Sequence, residues 1–158
     1  MNFNWQIAAP LDAVIFDCDG TLSSIEGIDE LARQNGVGDI VETMTAQAMS
    51  NTGVSADLYA ERLALVQPNQ QQVLDLGQAY IDHCNPGVVS VIAILQRMGK
   101  AVYVLSAGLQ PSVEVLAKYL NIPDHHVFAV NIDFDADGHY AEFDQASPLV
   151  AAGGKCQV

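Results

Sequence analysis

Residues 14–22 read VIFDCDGTL, and they decide how the rest of the chain is read. Apolar residues run from Leu11 to Phe16, interrupted only by Asp12, and predict a buried strand. The strand ends in two acids, Asp17 and Asp19, followed by the turn pair Gly20-Thr21. Alternate residues of a strand point to one side, so both carboxylates arrive at one place. Cys18, between them, points the other way, into packing, where a catalytic thiol is not expected. Two adjacent carboxylates repel, and each raises the pKa of the other. The arrangement therefore needs positive charge or a use for the repulsion. As turn formers alone, Asp and Gly would also account for the pair.

Downstream of this strand the periodicity turns helical. IEGIDELARQNG (25–36) places Ile28, Leu31 and Ala32 on one face and stops at Gly36. DIVETMTAQAMS (39–50) follows, with Asp39 as N-cap and Ile40, Val41, Met44 and Ala48 on one stripe. SADLYAERLALVQP (55–68) starts at Ser55 and ends before Pro68, and 69–84 carries Val73, Leu74, Leu76, Tyr80 and Ile81. After Asn85-Pro86-Gly87 the pattern alternates. A helix closes at Gly99, a buried strand covers Ala101 to Leu105, and a helix over 110–123 turns Val113, Leu116, Ala117 and Leu120 inward. A short strand at 127–130, a hairpin about Asp137-Gly138, and a helix opening after Gly153-Gly154 complete the chain. Strand–helix alternation on both sides of a helical block predicts an α/β fold: a Rossmann-like core with a parallel sheet and an inserted helical cap. The core is assigned to residues 1–24 and 85–158 and the cap to 25–84. Chemistry in such sheets gathers at the carboxyl ends of the strands, where Asp17, Asp19 and Ser106 all fall.

Composition excludes several functions. The 158 residues carry 19 acids against 6 bases, a formal net charge of −13, which disfavours nucleic acid and anionic membranes as partners. No apolar run is long enough to span a bilayer, and MNFNWQIAAP lacks the basic and apolar regions of a secretory leader. Three scattered cysteines, Cys18, Cys84 and Cys156, fit a reducing cytosol, so a cytoplasmic location is expected.

DCDGT (17–21), LSAG (105–108) and GGK (153–155) stand in the order and spacing of the first three motifs of the haloacid dehalogenase superfamily, which the chain resembles. IEGIDELA (25–32), ERLALVQP (61–68), NIPDHHVFA (121–129) and HYAEFD (139–144) are similar to its phosphoserine phosphatase branch. The resemblance runs from about Val14 to Lys155. It implies a phosphomonoester hydrolase that works through an aspartyl-phosphate on Asp17, with Asp19 as general acid and base. It also implies Mg²⁺, held by the Asp17 side chain and the Asp19 carbonyl, a hard-oxygen site that suits this ion. Ser106 and the backbone N–H groups of Ala107 and Gly108 would hold phosphate oxygens, and Lys155 would neutralise the nucleophile and the transferring group. Glu26 and Arg62 would receive the amino and carboxylate groups of the partner, a small phosphorylated metabolite, foremost O-phosphoserine. Two departures are visible. Ser55 stands about where the branch carries an aromatic residue, and the superfamily's fourth motif, a GDGxxD-like strand end, does not follow Lys155. Weak Mg²⁺ binding and slow or absent turnover are expected of the chain as it stands, or a role as a silent binding module. A relative acting on another small phosphomonoester is the enzymatic alternative.

Each of these residues also has an ordinary structural reading. Ser106 would cap the next helix, Lys155 would be a solvated lysine, Glu26 would favour a helix dipole, and Arg62 would make an exposed helix pair. One competing motif is present. DFDADGHYAEFD (133–144) matches much of a calcium loop through Asp133, Asp135, Asp137, Gly138 and Asp144. Its flanks favour strands and Asp137-Gly138 favours a hairpin turn, so the hairpin is the expected outcome.

Overall fold

The computed structural model describes residues 10–51 and 55–158, with side chains from 48 to 51 excepted. Residues 1–9, on which the leader reading rests, and the Ala48 side chain lie outside the described residues.

Three strands form a parallel sheet in the order β1 (Ala13–Phe16), β2 (Ala101–Leu109), β3 (Val127–Val130). Parallel neighbours need crossover connections. Helices α1 (Gly27–Gln34), α2 (Gly38–Asn51), α3 (Ala56–Val66), α4 (Gln70–Asp82) and α5 (Val88–Arg97) fill the first crossover, and α6 (Gln110–Tyr119) fills the second. An antiparallel hairpin, β4 (Ile132–Phe134) and β5 (Tyr140–Phe143), turns through Gly138 as expected. The α/β class and the parallel sheet read from the sequence are therefore observed.

Local chemistry explains the element ends. Ser55 caps α3 by accepting the Leu58 N–H at 3.2 Å, and Asn69 with Gln72 forms a reciprocal capping box on α4. The core joins Val102 and Val104 of β2, Val113 and Leu116 of α6, Leu76 and Tyr80 of α4, and Leu31 of α1. Each such aliphatic side chain contributes about 1.5–3 kcal/mol by leaving water. α4 lies along α6, where the buried Ser112 hydroxyl donates to the Val73 carbonyl at 2.6 Å.

Two readings of burial need correction. The strand at 13–16 is not buried: Ile15 is 62% exposed. Among the described residues β1 has a neighbour on one edge only, and Ile15 alternates away from the half-buried Val14 and Phe16. Ile40 and Leu74 are also exposed, because each sits one helical step (about 100°) from the fully buried Val41 or Val73. In α5 only Ile92 is buried, and Val89, Val91 and Ile94 face outward. No helix among the described residues is long and apolar enough to cross a membrane.

Candidate active site

The carboxyl ends of β1 and β2 open into a cavity of about 860 Å³ lined by residues from the core and from α1 to α4. Asp17 lines it. Its Oδ1 accepts the Cys18 N–H at 2.8 Å and its Oδ2 is paired with the Lys155 ammonium. Both side chains stay about 40% exposed, so the pair is open to a ligand. Two glycines bring Lys155 there. Gly153 turns with φ +78°, and a Cβ on Gly154 would lie 1.6 Å from the Pro148 carbonyl oxygen. The expected helix after them is one short 3₁₀ turn, Gly154–Gln157.

Asp19 is far more enclosed. Its Oδ1 accepts from the Tyr80 hydroxyl and from the Gly27 N–H, each at 2.7 Å, and its Oδ2 faces the Ser106 hydroxyl at 3.4 Å. Burial pushes the Asp19 carboxyl above its ordinary range. The Tyr80 and Gly27 hydrogen bonds oppose the rise, and Asp17 adds to it. The pair thus differs by environment: one acid is open on a lysine, and the other is enclosed by hydrogen-bond donors with its carboxyl raised above the ordinary range. Gly27 is required by this geometry, since a Cβ there would lie 2.1 Å from the Tyr80 hydroxyl.

Ser106 is fully buried and does not cap α6, whose N-cap is Leu109 with no side-chain bond. β2 continues through Gly108 to Leu109, so Ser106 lies within extended chain and four residues before the helix. Its hydroxyl accepts the Gly108 N–H at 2.8 Å. A Cβ on Gly108 would come within 3.1 Å of both Asp19 Oδ2 and Ser106 Oγ, so glycine keeps this corner open for oxygen atoms.

Glu26 and Arg62 also line the cavity. Glu26 precedes α1 without a capping hydrogen bond, and burial, then Asp19, raises its carboxyl above the usual range. Arg62 is 7% exposed, so it is not an exposed helix pair. Burial pulls its guanidinium below its usual range, and Tyr59, Asp29 and Glu26 oppose this. Nε of Arg62 has no hydrogen-bond partner among the described residues.

A family model for haloacid dehalogenase-like hydrolases matches residues 11–148. The chain belongs to that family. Phosphoserine phosphatase of Bos taurus and that of Homo sapiens are each 42% identical over 147 residues, covering 93% of this chain. The chain spans 65% of the length of these two relatives. Among solved structures, a phosphoserine phosphohydrolase-like protein from Francisella tularensis superposes with a TM-score of 0.78 at 25% identity, covering 93% of this chain and 73% of that one. A phospho-aspartyl intermediate analogue of phosphoserine phosphatase gives 0.71 at 26% identity, covering 89% and 66%.

In this haloacid dehalogenase-like chain, Asp17, Asp19, Glu26, Arg62, Ala107, Gly108 and Lys155 line one cavity, although 138 positions separate Asp17 from Lys155. Ser106 stands behind them through Asp19 and Gly108. Ser55 does not line the cavity; it is a helix cap, so it says little about the ligand. The sequence reading missed the Gly27 N–H and Thr45, and it took Tyr80 as core. Tyr80 does fill an inward position of α4, and only its hydroxyl separates the two roles. Cys18 is fully buried, and burial beside Asp19 and Asp17 pushes its thiol far up, as expected of a packing residue.

Asp17 uses two of about four lone-pair positions on Cys18 and Lys155, which leaves carboxylate oxygen for a hard cation. One or two carboxylates with water and phosphate oxygens are an ordinary Mg²⁺ environment, so these residues fit the ion. The cluster with metal-ligand spacing among the described residues is elsewhere: Asp135, Asp137 and His139, all exposed at the β4–β5 turn. There Asp135 Oδ1 accepts the N–H groups of Asp137 and His139, both at 2.9 Å, and closes the turn itself. Residues 133–144 are accordingly a hairpin between strands.

Proposed function

We propose that this chain is a phosphomonoester hydrolase that transfers the phosphoryl group of O-phosphoserine to Asp17. The observation that supports it best is the meeting of a half-exposed, lysine-paired Asp17, an enclosed Asp19 whose carboxyl is held above its ordinary range, and Glu26 with Arg62 in one cavity. Core residues 1–24 and 85–158 would supply the phosphate end, and a cap of residues 25–84 the amino-acid end.

Asp17 attacks phosphorus, and a new P–O bond forms as the ester P–O bond breaks. Asp19 gives its proton to the leaving alkoxide, which departs as serine. The ionised Asp19 then takes a proton from water as that water attacks the aspartyl-phosphate, releasing inorganic phosphate and restoring both acids. Lys155 offsets negative charge while two anions approach. The N–H groups of Ala107 and Gly108 hold phosphate oxygens, and the Ser106 hydroxyl joins them once it releases Gly108 and Asp19 and turns toward the cavity. Mg²⁺, when bound at Asp17 and the Asp19 carbonyl, would neutralise phosphate charge. Glu26 receives the ammonium group and Arg62 the carboxylate. All three cysteines are free, in keeping with a reducing, cytoplasmic location.

The test is acid quenching during turnover of a panel of phosphorylated metabolites, followed by mapping of the labelled residue. Label on Asp17 from O-phosphoserine, with sugar phosphates turned over far more slowly, is the expected result. Label elsewhere, or equal rates across the panel, overturns the reading.

A further inference from the structure

We propose that Thr45 of α2 is a positioning residue that sets carboxylate recognition by aiming the Arg62 guanidinium; the inference rests on the amino-acid substrate reading above. Arg62 is a buried cation in α3, and no carboxylate among the described residues is in ion-pair contact with it. Its Nη1 donates to Thr45 Oγ1 at 3.2 Å. The Thr45 hydroxyl has one hydrogen, and it is spent on the Val41 carbonyl of the preceding turn at 3.0 Å. Its lone pairs are thereby fixed toward Arg62, and it cannot turn round to donate elsewhere. The guanidinium also lies over the Tyr59 ring, 5.9 Å from the centroid. Tyr59 is in turn anchored, its hydroxyl donating to the Ala107 carbonyl at 2.9 Å.

One nitrogen is therefore held and the central carbon sits over the Tyr59 ring, while buried Nε has no partner among the described residues. Arg62 and Thr45 both line the cavity. A guanidinium tied at one corner offers its remaining donors as a fork in a single orientation, which suits a planar carboxylate. Free rotation of the same group would lose that orientation and the discrimination that comes with it.

The experiment is calorimetric titration of the 158-residue chain in EDTA with O-phosphoserine and with O-phosphoethanolamine, which lacks only the carboxylate. Wild type is expected to prefer O-phosphoserine. Thr45→Val should weaken O-phosphoserine binding about 10-fold, the scale of one hydrogen bond to a charged group, and leave O-phosphoethanolamine within about 2-fold. Thr45→Ser, which keeps the hydroxyl, should restore the preference. Thermal melting checks the fold, and Thr45→Ala serves if the valine variant melts early. Full discrimination in the variants that lack the hydroxyl overturns the role of Thr45 alone. A wild type that binds both ligands equally, or neither, removes the carboxylate reading of Arg62 and this inference with it.

Discussion

Two acidic clusters in this chain look alike as sequence and differ in every physical respect. DCD at 17–19 and DFDAD at 133–137 both repeat Asp at alternate positions. The first ends β1 inside a cavity, where Asp17 meets a lysine 138 positions away and Asp19 is wrapped by Tyr80, Gly27 and Ser106. The second is the tip of a hairpin in water, where Asp135 satisfies its own turn. Carboxylates acquire unusual chemistry where burial and partners shift the cost of charge, and spacing alone does not supply that. In solvent the same spacing produces a turn.

The largest expected contrast is between Asp17→Asn and Asp135→Asn. The first removes the oxygen proposed to attack phosphorus, and whatever O-phosphoserine hydrolysis the chain supports should fall to background, as loss of other nucleophiles does. The second should leave the rate within about 2-fold, because surface changes away from a site have little effect. Steady-state kinetics on the two variants would erase the distinction if they fell together.

Gly27→Ala probes the enclosure of the buried cluster. The added Cβ would meet the Tyr80 hydroxyl, so stability should drop by about 1–3 kcal/mol, as overpacking does. Chemical denaturation measures it, and an unchanged midpoint would mean that Tyr80 is not held against Asp19.

Asp19→Asn should separate stability from activity. Burial raises the Asp19 pKa in the folded chain, so the unfolded chain releases this proton first as pH rises. Above the ordinary carboxylate range the buried acid therefore costs stability, and below that range it does not. The asparagine variant, which lacks the proposed general acid, should melt higher than wild type at neutral pH, and the gap should close at about pH 3. Melting curves across that interval check the sign.

The smallest effect belongs to Asp135→Ala. Hydrogen bonds from the His139 and Asp137 N–H groups hold the Asp135 pKa down, so its help to the hairpin is present near neutrality and fades as pH falls through the folded pKa. A slight fall in melting temperature at neutral pH, vanishing in strong acid, is expected. A large fall, or loss of a tightly bound divalent cation, would make the two clusters more alike than their surroundings suggest.

How much was legible follows from what each signal measures. VIFDCDGTL announced the strand end and its paired acids, because alternation is a local property. Helix boundaries set by Ser55 and Pro68 were equally local. The inward faces were read less well: Ile40 and Leu74 are apolar yet exposed, since periodicity marks a broad stripe and packing selects its centre. Tyr80 and Thr45 were hidden for a related reason. An aromatic on a helical stripe reads as core, and a threonine in a helix reads as nothing in particular, until the partner of each hydroxyl is known.

What the sequence determined by itself was the order of elements and the α/β class, which rest on neighbours in the chain, together with a set of candidate site residues. The tertiary structure alone decided which acid is buried, which cation meets which anion, and which hydroxyl aims Arg62. Those outcomes depend on distance and exclusion of water between segments far apart in sequence, and electrostatic strength follows both.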